Sequence, residues 1–142
     1  MVEAKEQTWV LKSDDGKLEA TIASFGATIV SLYVADASGA KEDVLLGHSR
    51  DAAAIRAAVE DEARGHPFFN CVVGRVAGRI GNQGRFTIDG VPVQVTANEG
   101  DGAKMLHGGR HGFNTKHWTE NRERSQPGRV LCLETTSADG EE

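Results

Sequence analysis

Alternating apolar and polar positions in the first third of the chain predict a series of β-strands. Residues 18–22, Leu-Glu-Ala-Thr-Ile, alternate with a period of two, which is typical of a strand with one buried face. Residues 28–34 are rich in β-branched and aromatic side chains and predict a second strand. Two shorter strands are predicted at residues 8–11 and 43–47, with turns at residues 14–16 and 36–39.

Residues 49–64 differ in character, because alanine is frequent there and the helix propensity is high. Ser49 can cap the start of a helix, and Gly65 can end it. Ile55 and Val59 stand four residues apart, but the apolar stripe they form is thin. We therefore expect a surface helix or a flexible insertion, and the most mobile internal segment of the chain.

The strand pattern returns from Pro67 onward. Asp89-Gly90 favours a tight hairpin turn between strands at residues 85–88 and 91–95. Two further strands are predicted at residues 117–121 and 130–134. The chain has 17 glycines and 3 prolines, which fits a turn-rich β protein. We expect one mainly β domain over residues 1–142, an antiparallel β-sandwich with one short helix.

Charge and hydropathy narrow the classes of partner. The formal net charge of −5 argues against a nucleic-acid surface as the main function. No stretch approaches the roughly 18 apolar residues that a membrane span needs, and residues 1–6 carry no sign of a secretory signal. Cys71 and Cys132 in such a chain favour reduced, buried thiols over a disulfide. These features together predict a cytoplasmic protein.

Two clusters of glycine, arginine and histidine, residues 74–80 and 106–113, predict a polar-ligand site. Glycine leaves room beside a ligand, arginine offers a fork of donors, and histidine can donate or accept a proton. We expect Arg75 or Arg79 to donate hydrogen bonds to an oxygen-rich ligand, with two surface arginines as the alternative. His107, followed by two glycines, is the best single candidate, and the alternative is a loop histidine with a structural hydrogen bond.

Other site chemistries find little support in the sequence. The spacing of His107, His111 and His117 matches no recognised zinc site, so we expect no metal. The glycines at positions 74, 78, 81 and 84 form neither a dinucleotide fingerprint nor a phosphate loop. A G-x-S-x-G elbow, which a serine hydrolase of the α/β type would need, does not occur.

Taken in order along the chain, these segments resemble the aldose 1-epimerase (galactose mutarotase) family. The matching stretches are residues 25–32, 43–47, 73–80, 84–90 and 106–109, then Gly112-Phe113, Trp118 and the final turn at residues 137–142. The resemblance implies a large antiparallel β-sandwich that interconverts the α and β anomers of free hexoses, such as galactose or glucose, without a cofactor. By position it implies that Arg79 and His107 contact the sugar. Gly78 joins them as a substrate-binding position, where the family usually has asparagine.

The resemblance also implies that the chain contains only part of the family's active site. The family's acid is a histidine and its base a glutamate, and neither motif is matched here, so none of the catalytic acid–base pair is present. We therefore expect the N-terminal part of a mutarotase, either truncated or one half of a split protein. The alternatives are a non-catalytic carbohydrate-binding or regulatory protein, and a gene fragment without function. Open sheet edges predict self-association or pairing with a complementary chain.

Overall fold

A four-stranded antiparallel sheet forms the first part of the computed structural model, which describes residues 6–47, 51–60 and 68–141. Its strands, in both chain order and spatial order, are β1 (Thr8–Lys12), β2 (Leu18–Ala23), β3 (Ile29–Ala35) and β4 (Lys41–Asp43). Trp9 lies opposite Ile22 in the first pair, and Ile22 lies opposite Ile29 in the second, after a register shift at residues 21–22. The sequence thus predicted β1 to β3 within a residue or two.

The fourth strand lies two residues earlier than the pattern predicts. The prediction placed it at residues 43–47, but β4 ends at Asp43. The Asp43 carboxylate accepts hydrogen bonds from the backbone N–H groups of Leu32 (3.0 Å) and Leu45 (3.1 Å). The carboxylate thus occupies the N–H of Leu32, while the next residue, Val44, still donates its N–H to the carbonyl of Leu32 (3.0 Å). The regular ladder nevertheless ends at Asp43.

The helix α1 (Ala52–Glu60) packs against this sheet. Its Ile55 is 1% exposed and forms a buried cluster with Ala23 and Val30, and Val59 packs against the same cluster. The thin stripe therefore reaches the core through two side chains. Positions 49 and 65, named above as helix signals, lie outside the described residues, and the mobility of residues 49–64 stays a prediction.

The second half of the described chain is built from short antiparallel pairs. The strands are β5 (Arg79–Ile80), β6 (Arg85–Ile88), β7 (Val91–Gln94), β8 (Met105–Leu106), β9 (Thr119–Glu120) and β10 (Leu133–Glu134). β5 pairs with β8, β6 with β7, and β9 with β10. Three 3₁₀ turns lie at Asn82–Gly84, Gly109–His111 and Phe113–Thr115. The mainly β, antiparallel fold class is confirmed, as is the hairpin around Asp89-Gly90.

The last predicted pair of strands is shorter than the pattern implies. Each of β9 and β10 has two residues, against predicted runs of five. The N–H of Cys132 donates to the hydroxyl of Ser125 (3.0 Å), and that hydroxyl donates in turn to the carbonyl of Asn121 (2.9 Å). The Ser125 hydroxyl thus takes the place of a backbone partner for the N–H of Cys132, and the regular pairing of β9 with β10 begins at Leu133.

Candidate functional site

The two glycine, arginine and histidine clusters meet at the pair formed by β5 and β8. Arg79 lies opposite Leu106, and Ile80 lies opposite Met105. Met105 is 1% exposed and Leu106 is 8% exposed, so β8 is anchored in the interior of the protein. The antiparallel pairing of β5 with the buried β8 brings the two clusters together, although about 30 positions separate them in the chain.

Gly78 and His107 hold each other by two hydrogen bonds at the end of this pair. The N–H of His107 donates to the carbonyl of Gly78 (3.0 Å), and the N–H of Gly78 donates to Nδ1 of His107 (3.0 Å). A ring nitrogen that accepts a hydrogen bond carries no proton, so the neutral imidazole has its proton on Nε2. The ring of Phe68 packs edge-on against the imidazole, with 4.8 Å between ring centroids. The half-buried His107 therefore offers Nε2–H as a donor.

Arg79 forms a bidentate ion pair with Glu99. Its Nε donates to Oε2 (2.6 Å) and its Nη2 to Oε1 (2.7 Å), while Lys104 Nζ lies 3.5 Å from Oε2. Hydrogen bonds from the guanidinium hold the pKa of the Glu99 carboxyl at about 2, below its ordinary 4.5, and the carboxylate in turn raises the pKa of Arg79. Sequence reasoning missed Glu99, since no spacing rule links it to an arginine 20 residues away.

Arg75 donates hydrogen bonds to other residues of the chain. Its Nε donates to the hydroxyl of Ser137 (2.9 Å), and its Nη2 donates to the carbonyl of Ala138. Glu141, in the same turn, accepts from Lys116 Nζ at 2.5 Å, and these bonds lower the pKa of its carboxyl. Arg75 thus ties the turn at residues 137–141 to the first cluster. Both arginines thus use Nε and Nη2 for contacts within the chain, and Arg79 stays the predicted ligand donor.

The glycines of the clusters fall into two kinds. A Cβ on Gly108, whose φ is +92°, would overlap the carbonyl oxygen of Gly74, and a Cβ on Gly74 would lie 2.5 Å from the ring of Phe113. These glycines allow the two loops to touch. Gly78 has a similar φ of +91°, but among the described residues, its two chain neighbours aside, no heavy atom lies within 4 Å of its Cβ position. The space beside Gly78 is therefore open.

A half-open cleft of about 570 Å³ lies beside this arrangement. Asn98 and Gly100, which flank Glu99, line it, together with Phe68, which contacts His107. Gly109 and Arg110 follow His107 in the chain and line it as well. Several walls of the cleft thus come from chain neighbours of the candidate residues, but Gly78, Arg79 and His107 are not among the described residues that line it. That Arg79 and His107 face one concave pocket stays a prediction.

The described residues hold no cluster of three or more His, Cys, Asp and Glu side chains that could bind a metal ion. His117 packs edge-on against Phe25, and its Nε2 lies 3.7 Å from Glu6 Oε1, while His111 is exposed.

Cys71 and Cys132 are free thiols of intermediate burial, and burial raises the pKa of Cys71 to about 11. Within the described ranges, no helix is long and apolar enough to cross a membrane.

Comparison with known proteins places these features in one family. The sequence model for aldose 1-epimerase matches residues 7–142. A galactose mutarotase of Sus scrofa is 39% identical over 109 residues, which are 77% of this chain and 28% of that protein. A probable aldose 1-epimerase of Arthroderma benhamiae is 35% identical over 102 residues, 72% of this chain and 22% of its own length. The chain thus spans about a quarter of the length of these relatives.

A solved structure shows the same fold. The GalM/aldose epimerase homologue from C. elegans superposes with a TM-score of 0.72, covering 96% of this chain and 38% of its own. The two sequences are 23% identical, so this likeness concerns the fold alone.

Proposed function

The chain belongs to the aldose 1-epimerase family, and from this premise we propose that its site serves the interconversion of the α and β anomers of a free hexose such as galactose or glucose. One observation carries the proposal. The backbone N–H of Gly78 occupies Nδ1 of His107, which leaves Nε2–H as a donor beside the end of the strand that bears Arg79. Two such donors suit a ligand made of hydroxyl and ring oxygens.

The chemistry divides the work of the site into holding the sugar and moving protons. Anomer exchange opens a hemiacetal ring: a base takes the proton of the C1 hydroxyl, an acid protonates the ring oxygen, and the aldehyde turns and recloses. Arg79 stays charged throughout, and Nδ1 of His107 is engaged by the main chain. We assign both residues to orienting the sugar and stabilising charge on its oxygens.

We place the acid and the base in polypeptide outside these 142 residues. The family's acid and base motifs match no residue of this sequence, and the matched segment covers 28% of the Sus scrofa relative. The chain alone is therefore proposed to hold the sugar-contacting part of the site. We further propose that it acts in the cytoplasm and uses no cofactor.

A hexose phosphate is the closest competing ligand, because an arginine could meet its phosphate. Two observations support the neutral sugar instead. The Leu-His-Gly-Gly motif at residues 106–109 fits the free-sugar branch of the resemblance. In addition, the Glu99 carboxylate already neutralises the guanidinium of Arg79.

Two alternatives remain for the 142-residue chain as such: a non-catalytic carbohydrate-binding or regulatory protein, and a gene fragment without function. The coding sequence after codon 142 separates both from an enzyme. An in-frame continuation with a histidine acid motif and a later glutamate supports the enzyme. A stop codon at that point, combined with measurable sugar binding, supports the binding protein.

The open strands also call for a partner. Val10, on the edge strand β1, is 44% exposed, and Ile88 and Val91, in the β6–β7 hairpin, are 55% and 63% exposed. Apolar surface of this kind at sheet edges favours association. We propose that a second copy or a complementary chain covers it. Size-exclusion chromatography at several concentrations tests the second copy, and a monomer at every concentration would refute self-association and leave the complementary chain.

Ligand-observed saturation-transfer NMR tests the sugar-binding proposal, because α and β H1 signals of D-galactose are resolved. We expect transfer from the wild-type chain to both anomers and its loss in His107→Ala. His111→Ala is the matched control, since His111 is an exposed histidine in the same loop. Equal transfer from the wild type and from His107→Ala would remove His107 from the site, and no transfer at all would favour the functionless fragment.

A further inference from the structure

The contact between Glu99 and Arg79 is directional. The carboxylate takes Nε–H and one Nη2–H, which lie on the same side of the guanidinium. A guanidinium has five N–H donors, so three remain: two on Nη1 and one on Nη2. Within residues 6–47, 51–60 and 68–141 no group accepts a hydrogen bond from these three. Two of them, one on Nη1 and the one on Nη2, form the end edge of the guanidinium, which can meet two neighbouring oxygen atoms at once.

Glu99 is held in place without its carboxylate. It begins a tight turn in which the N–H groups of Asn98 and Glu99 both donate to the carbonyl of Lys104 (3.1 Å each), and the N–H of Lys104 donates back to Glu99 (3.3 Å). The side chain of Asn98 then clamps Leu106, accepting from its N–H (2.7 Å) and donating to its carbonyl (3.2 Å). The turn is thus fixed to β8 by bonds that do not involve the Glu99 side chain.

The guanidinium, by contrast, has few other restraints. The Arg79 side chain is 53% exposed, against 28% for Glu99. A half-exposed arginine keeps much of its rotamer freedom. A ligand that orders such a side chain binds more weakly, because the lost conformational entropy opposes binding. The carboxylate removes that freedom before the ligand arrives.

We propose that Glu99 is a positioning residue that holds Arg79 by its Nε/Nη2 edge and turns the free Nη1/Nη2 edge toward two adjacent hydroxyl oxygens of the hexose. This inference rests on the proposed function, because it concerns how the same site binds its sugar. It adds a role for a carboxylate that touches neither the reacting atoms nor the sugar.

The test compares Glu99→Gln with Asp101→Asn in the 142-residue chain. Both remove one negative charge from the same turn, but Asp101 is exposed and lies two residues from the ion pair. Three quantities are measured: the Arg79 Nε–H resonance and its exchange rate with water, the dissociation constant for D-galactose, and the midpoint of thermal unfolding. For Glu99→Gln we expect a shifted resonance with faster exchange, about tenfold weaker binding, and an unfolding midpoint only slightly below that of Asp101→Asn, because a surface-exposed ion pair adds little stability. Asp101→Asn should match the wild type in the first two.

The outcomes separate this inference from the proposed function. A wild-type chain that binds no hexose overturns the proposed function. Wild-type binding that Glu99→Gln leaves unchanged overturns the positioning role alone. An Arg79 Nε–H resonance that is the same in the wild type and Glu99→Gln shows that the two side chains do not pair in solution, and that also overturns the inference.

Discussion

Gly78 and His107 bind each other through two hydrogen bonds of 3.0 Å, one from backbone to backbone and one from the backbone N–H of Gly78 to the imidazole. The second bond fixes the tautomer of the histidine with a main-chain atom, so no neighbouring side chain is needed for that purpose. A histidine held in this way is a donor through Nε2 and a poor proton shuttle through Nδ1. This assignment supports a sugar-holding role.

Replacement of His107 should affect the reaction in a longer, active form. His107→Ala removes a donor to an oxygen on which charge develops, so we expect a loss of about 2–4 kcal/mol of transition-state stabilisation in kcat/KM. His111→Ala, at an exposed position nearby, should leave the rate unchanged. Polarimetry of α-D-galactose equilibration measures both, and normal turnover in His107→Ala would contradict the assignment.

The 142-residue chain alone should not accelerate mutarotation. It offers groups that hold the sugar but matches neither proton-transferring motif of the family, and positioning without proton transfer leaves most of the barrier in place. The measurement is the rate at which α-D-glucose equilibrates with and without the protein. A protein-dependent rate in the ordinary enzymatic range would show that the acid and the base are present in this chain.

Alanine at two glycines with nearly the same φ should separate backbone strain from close packing. Gly78→Ala adds a Cβ in open space at φ +91°, which costs about 1–2 kcal/mol of stability. Gly108→Ala, at φ +92°, adds one that overlaps the carbonyl of Gly74, so we expect a further loss of about 1–3 kcal/mol. Chemical denaturation of both variants measures the difference. Equal losses would mean that the loops do not touch as described.

The ion pair between Arg79 and Glu99 should make stability depend on pH in a defined window. The folded pKa of Glu99 is lowered to about 2 from an ordinary 4.5, so its contribution is complete above pH 4.5 and is lost as the pH falls toward 2. The ¹³C resonance of the Glu99 carboxyl should titrate near 2 in the wild type and closer to 4.5 in Arg79→Ala. A wild-type midpoint near 4.5 would exclude the pair.

Local patterns predicted the strands but not the partners of the site residues. The period-two run predicts β2, the β-branched and aromatic run predicts β3, and Asp89-Gly90 predicts the hairpin, because these signals act over a few residues. At the end of β4 the Asp43 carboxylate accepts the N–H of Leu32, a contact that no hydropathy pattern contains. The partners of Arg75 and Arg79 lie 62 and 20 residues away, so only the folded chain shows what each arginine contacts.

The central claim is that Gly78, Arg79 and His107 form the sugar-contacting part of an aldose 1-epimerase site. The most direct test is a ¹H–¹⁵N titration of the 142-residue chain with D-galactose, observing the Gly78 amide, the Arg79 Nε–H and the His107 Nε2–H. The account predicts saturable shifts at these three groups with one shared dissociation constant. Saturable shifts confined to other residues, or no saturable shift at all, would contradict it.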